Sequence, residues 1–131
     1  MEEAIMTAHG HFHWNELMTR NVEASKKFYA ETIGWTFNGM DMPDGTYWVA
    51  MDGEQALGGI FEMKGADFEG MPTHWFAYLS VDDVDARLKK AKAAGAKVMR
   101  EPFDVPNVGR IAILQQPDGA HIGWMTPAKM G

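Results

Sequence analysis

The side chains of this 131-residue chain that can take or give a proton near neutral pH are its five histidines. Two of them, His74 and His121, each open an apolar stretch, His74 ahead of Trp75 and Phe76 and His121 ahead of Ile122. Together with a carboxylate such as Glu16, two imidazoles can perform acid and base chemistry without a metal, and the same residue types can ligate a divalent ion. The sequence has no cysteine, which removes a thiolate nucleophile, a disulfide framework and a zinc ribbon. The other three histidines crowd the start. His11 and His13 alternate with Phe12 and Trp14, so they should occupy the opposite face of a strand, and His9 should precede it in a loose end. A short His-rich start reads as a surface feature rather than a metal site.

Helices and strands must position these groups. After Asn21, the residues Val22, Ser25, Phe28, Tyr29 and Ile33 recur with helical period, with Asn21 able to cap the start and Gly34 the end. After Asp83, Val84, Leu88 and Ala91 do the same, and Gly95 should end that helix. The remaining apolar segments are short, aromatic or β-branched and separated by turn residues, which predicts strands near 11–18, 35–40, 47–51, 56–63, 74–81, 97–101, 110–115 and 121–126. Turns fall at Pro43-Asp44-Gly45, Asp52-Gly53 and Pro117-Asp118-Gly119. The stretch from Pro102 to Arg110 is the longest irregular one bounded by strands, and it is a candidate for specificity or for contact with a partner.

The order strand, helix, three strands occurs twice. Setting Asn21 against Asp83 pairs Val22 with Val84, Ala24 with Ala86 and Trp14 with Phe76, while Gly59 falls opposite Gly123 near the end of each half. The expected organisation is one domain, residues 1–131, built from modules at about 10–63 and 73–127 with a linker at 64–72. A net charge of −6 makes nucleic acid and anionic membranes poor partners. Apolar residues form 46% of the chain but in no run long enough to span a bilayer, and the acidic start from Met1 to Ala4 lacks the features of a secretory signal, so a cytoplasmic location is expected.

These features resemble the vicinal oxygen chelate superfamily, which includes glyoxalase I, bleomycin-resistance proteins and extradiol dioxygenases. The resemblance runs from Gly10 to Pro127 and is carried by Phe28-Tyr29 before Gly34-Trp35, by Ser80-Val81-Asp82-Asp83, and by Pro117-Asp118-Gly119 before the last strand. Trp14, Glu16, Leu17 and Thr19, with Val105, Pro106, Gly109 and Arg110, are similar to a glyoxalase-like subfamily often found as tandem domains. It implies an α+β fold in which two βαβββ modules form one concave mixed sheet with helices outside, and a homodimer. It also implies a divalent metal held by one side chain from each of the first, fourth, fifth and eighth strands.

On those four positions this sequence carries Trp14, Gly59, Phe76 and Gly123, none with a side-chain ligand atom. The usual metal site is therefore expected to be absent, and no cofactor is expected. Two aromatic rings facing two glycines describe a pocket instead. By strand alternation Phe12, Glu16, Met18, Leu57, Phe61, His74, Tyr78, His121 and Met125 should share its face. Glu16, His74 and His121 are the candidate catalytic residues, and Trp14, Phe76, Tyr78, Phe61, Gly59 and Gly123 are the candidate substrate-binding residues.

Three functions fit. The first is a metal-free protein binding a small apolar or aromatic molecule. The second is a lyase, isomerase or hydrolase that uses Glu16, His74 and His121 as acid and base or as a displaced metal site. The third is a module whose main role is association with other proteins.

Overall fold

The computed structural model describes residues 9–43, 45–106 and 108–128. Met1 to Ala4, Asp44 of the expected turn and Asn107 of the expected loop lie outside them. The chain divides into two compact units, one of residues 14–76 and one of the residues before 14 together with those from 77 on.

In the first unit, β1 (Phe12–Thr19) leads into α1 (Val22–Ile33), followed by β2 (Thr36–Met42), β3 (Gly45–Asp52) and β4 (Gln55–Glu62). The strand order is β2-β3-β4-β1, with β1 parallel to β4 and the other pairs antiparallel. The second unit repeats this: β5 (His74–Ser80), α2 (Val84–Ala93), β6 (Lys97–Val105), β7 (Gly109–Gln115) and β8 (His121–Pro127), in the order β5-β8-β7-β6 with only β5 and β8 parallel. The α+β class and its twice-told strand, helix and three-strand pattern are those expected.

Both helices begin where the sequence placed them. Asn21 accepts a hydrogen bond from the Ala24 N–H at 3.0 Å, and Asp83 accepts one from Ala86 at 3.1 Å. Each cap satisfies an amide that the helix leaves unpaired. Gly34 closes α1 with φ 81°, but α2 is capped by Ala94, one residue before the expected Gly95, whose φ of 101° turns the chain away. Thr126 Oγ1 accepts from Val84 N–H and donates to Val81 O, which fixes the start of α2 to β8.

Two expectations about irregular segments fail. β6 runs on to Val105, so the stretch read as a long loop from Pro102 is mostly strand. Register shifts between Val98 and Arg100 and between Arg100 and Phe103 accommodate Pro102, which has no N–H to give the ladder and is tolerated at a bulge on an outer strand. The linker 64–72 contains a 3₁₀ turn, Ala66–Phe68. Arg20 holds it by donating to Met71 O at 2.7 Å and to Phe68 O at 2.5 Å.

The two helices bury themselves differently. Val84, Leu88 and Ala91 of α2 join Val81, Ala112 and Leu114 in the core of the second unit, with Ile122 and Trp124 packed against it. No residue of α1 is buried, and Phe28 and Ile33, expected on its inner face, are 57% and 58% exposed. Counting from the caps, Leu88 corresponds to Lys26, whose ammonium lies 3.2 Å from the Trp48 ring centroid. A packed leucine in one unit is thus answered by a cation over an indole in the other. Leu88→Ala should cost about 2–5 kcal/mol of unfolding free energy through lost burial and a cavity. Lys26→Ala should cost about 0.5–1 kcal/mol, since a partly solvated cation–π contact is weak. Denaturant unfolding of both variants measures the contrast.

Candidate functional site

The residues singled out in β1 are assembled by a residue that was not. Trp14 and Glu16 share a face of β1, and the parallel ladder sets Glu16 beside Gly59 and Met18 beside Phe61. In the antiparallel ladder on the other side of β4, Gly59 faces Val49, so Tyr47, two residues away on the same face, reaches diagonally back over the glycine. Its hydroxyl accepts a hydrogen bond from Trp14 Nε1 at 3.1 Å and donates one to Glu16 Oε1 at 2.7 Å. A Cβ built on Gly59 would coincide with that hydroxyl and collide with the ring carbons Cζ and Cε2. Gly59 therefore serves as the seat of the Tyr47 phenol.

Period-two alternation shows that Tyr47, Val49 and Met51 share a face, but not which neighbour that face meets. That requires the order β2-β3-β4-β1. The signal available in the sequence was a glycine pair, Gly58-Gly59, in a strand otherwise rich in large apolar residues, which marks a close approach by another group.

The other candidates of the first unit lie near its 3₁₀ turn. His74 Nδ1 donates to Pro72 O at 2.7 Å, which assigns the ring proton to that nitrogen, and its ring meets Phe76 edge-on with centroids 6.4 Å apart. Phe61 packs against Phe68 at 5.7 Å. An open groove of about 740 Å³ runs beside this segment, lined by Arg20, Met63, Glu69, Met71 and Pro72 among others. Phe12, expected on the cleft face, is 73% exposed.

In the second unit Tyr78 stands beside Gly123 in the β5–β8 ladder, repeating the Glu16–Gly59 register, and both residues are buried. His121 is exposed at the first residue of β8, beside Gln115. His9 is not loose: its Nδ1 accepts from Asp82 N–H at 3.0 Å. Burial lowers the His13 pKa, because the interior disfavours the imidazolium. Bidentate hydrogen bonds from Arg87 hold the Asp82 carboxyl down to about 2, so this ion pair persists until the pH falls to that value.

The metal that the fold family implies does not fit these residues. Indole, phenyl and glycine offer no ligand atom at the four positions, and the space that a side chain at 59 would need is taken by Tyr47. Among the described residues, no group of three or more His, Asp or Glu side chains is placed to hold a metal ion. The displaced metal set of Glu16, His74 and His121 is accordingly not assembled.

This architecture has a family. Residues 10–123 match the model of the Glyoxalase/Bleomycin resistance protein/Dioxygenase superfamily, and the chain belongs to it. Within the superfamily it is similar to CFP32 of Mycobacterium tuberculosis, described as a putative glyoxylase, at 40% identity over 116 residues that cover 88% of this chain. It is also similar to the anthracycline biosynthesis protein DnrV of Streptomyces peucetius, at 31% identity and 82% of this chain. The matched segment makes up 43% of either relative, so the chain spans less than half of their length. Among solved structures, methylmalonyl-CoA epimerase of Mycobacterium tuberculosis superposes with a TM-score of 0.68 over 92% of this chain and 89% of its own, at 13% identity. A hypothetical protein of Bacillus halodurans superposes with a TM-score of 0.66 over 94% and 96%, at 15% identity. These two likenesses are likenesses of fold.

Because the Gly59 seat and the Tyr47 hydroxyl fill the same space, substitutions at the two positions must be coupled. Gly59→Ala should destabilise by about 1–3 kcal/mol through overpacking and release the Trp14 indole. In a Tyr47→Ala background the same change should cost almost nothing. A double-mutant cycle of unfolding free energies measures the coupling.

Proposed function

We propose that the chain binds a small, largely apolar or aromatic molecule without a metal, on the face of the first unit that carries Trp14, Glu16 and Tyr47. The observation that carries this reading is the Tyr47 hydroxyl, which restrains the Trp14 indole and the Glu16 carboxylate at once. A flat ring held at its N–H edge is prepared for stacking, because little rotamer freedom remains to be lost on binding. Phe61 and Phe76 extend the apolar surface, with His74 oriented beside Phe76. Apolar walls with a few fixed polar groups are the usual composition of a small-molecule site. Similarity to a protein of anthracycline biosynthesis agrees with a planar aromatic ligand.

The second reading is an enzyme, and it rests on the bond from Tyr47 to Glu16. A carboxylate that accepts a phenolic hydrogen bond is held ionised and is able to take a proton from a bound molecule. In that lyase, isomerase or hydrolase, Glu16 is the base, with His74 and His121 as further candidates. Among the described residues no helix is long and apolar enough to cross a membrane. A cytoplasmic homodimer is the proposed form, in which the exposed Phe28, Ile33 and Trp75 of the first unit gain cover.

Titration of a metabolite library, followed by the emission of the wild type and of Trp14→Phe, tests the binding reading. Ligands of this face should change the wild-type signal and not that of the variant. Stacking contributes about 0.5–1.5 kcal/mol beyond area burial, so Trp14→Ala should weaken binding by more than about tenfold once the lost area is included. Hits that Trp14→Ala binds unchanged would place the ligand elsewhere. Light scattering should give twice the 14.6 kDa chain mass, and a monomer at micromolar concentration would refute the dimer.

A further inference from the structure

The hydrogen bonds at Tyr47 run in one direction, and their direction restricts the ligand. Trp14 has one polar atom, an N–H that only donates, and it donates to Tyr47. Tyr47 has one proton, and that proton goes to Glu16. Glu16 ionised has none to give. Every proton these three side chains possess is committed within the cluster. What they can still offer a bound molecule is acceptor capacity, since a carboxylate has about four lone-pair positions and a phenol oxygen two. The cluster also carries a negative charge in a protein of net charge −6.

From this we infer the class of ligand: a planar, neutral or cationic molecule that donates a hydrogen bond from its edge, such as a phenol or an aryl amine, and not a carboxylate, phosphate or other anion. The inference rests on the binding role proposed for this face and adds its selectivity. An anion would meet a charge of its own sign and find no proton to accept. A phenol stacked on Trp14 would give its proton to Glu16, and a hydrogen bond to a charged acceptor is among the stronger ones. The Gly59 seat supports the selectivity, because it holds the Tyr47 hydroxyl between the indole and the carboxylate. Were Tyr47 displaced, the indole N–H would become a donor again.

Three naphthalenes of similar size separate the possibilities: 2-naphthol, 2-methoxynaphthalene and 2-naphthoate, titrated calorimetrically into the wild-type protein at pH 7. The wild type should bind 2-naphthol about tenfold or more tighter than either of the others, the factor that one hydrogen bond to a charged group supplies. Glu16→Gln, which removes the charge and introduces amide donors, should bring 2-naphthol and 2-naphthoate to within about threefold of each other. Tyr47→Phe, which frees the Trp14 N–H, should shift the same ratio toward 2-naphthoate. Thermal melts identify any variant that does not fold, and in that case the wild-type ratios and the other variant decide. If all three probes bind the wild type equally, or 2-naphthoate binds best, the donor rule is wrong while the binding face stands. An unchanged ratio in Glu16→Gln would also overturn the rule. If none of the three binds, the binding face fails and the inference fails with it.

Discussion

The contact between the Tyr47 phenol and the bare backbone of Gly59 is the constraint on which the candidate site depends. Residue 59 can be nothing larger than hydrogen while Tyr47 lies where it does, and Tyr47 can reach both Trp14 and Glu16 only from that position. Each condition secures the other. The strand order makes them possible: β4 lies between β3, which supplies the phenol, and β1, which supplies the indole and the carboxylate. Three strands thus contribute to one hydrogen-bonded cluster around a glycine. Membership of a superfamily in which metals are common therefore does not bring a metal with it here, since the volume that a ligand side chain would occupy is filled by a hydroxyl.

The repeated architecture shows how one topology is stabilised in two ways. In the second unit the helix closes a conventional apolar core through Val84, Leu88 and Ala91, and burial of those side chains provides most of the driving force for its docking. In the first unit the corresponding helix positions hold Val22, Lys26 and Tyr29. The helix is held by caps at both ends, by the Lys26–Trp48 contact, and by Tyr29, which stacks on Trp35 at 4.7 Å and accepts a hydrogen bond from Trp75. These contacts leave apolar surface in water. Less of the first unit's stability comes from burial within the unit, and more of its surface is available for association.

Fold and chemistry separate clearly in this molecule. Structures that superpose closely share less than a fifth of their residues with it, so topology persists while the groups in the cleft change. The Glu16–Gly59 and Tyr78–Gly123 pairs occupy equivalent register positions in the two units but carry different chemistry, a carboxylate in one and a buried phenol in the other. Internal repetition supplies the frame, and single substitutions on it decide what the frame can hold.

Much of the frame was legible in the residues themselves. Helix starts follow from Asn21 and Asp83 because an N-cap acts on amides three residues away. Strand positions follow from alternation with a period of two. The repeat shows in pairs such as Val22 with Val84, and the lack of metal ligands at Trp14, Gly59, Phe76 and Gly123 is a matter of residue type alone. What the chain order could not convey was pairing across the sheet. Pro102 reads as a loop residue until β7 is present to bulge against, Phe28 reads as core until the helix is docked, and His9 reads as loose until the Asp82 amide meets it. Tyr47 is the clearest case. Its role is set by the register of β3 on β4 and of β4 on β1, contacts between residues far apart in the chain, and no local propensity encodes them.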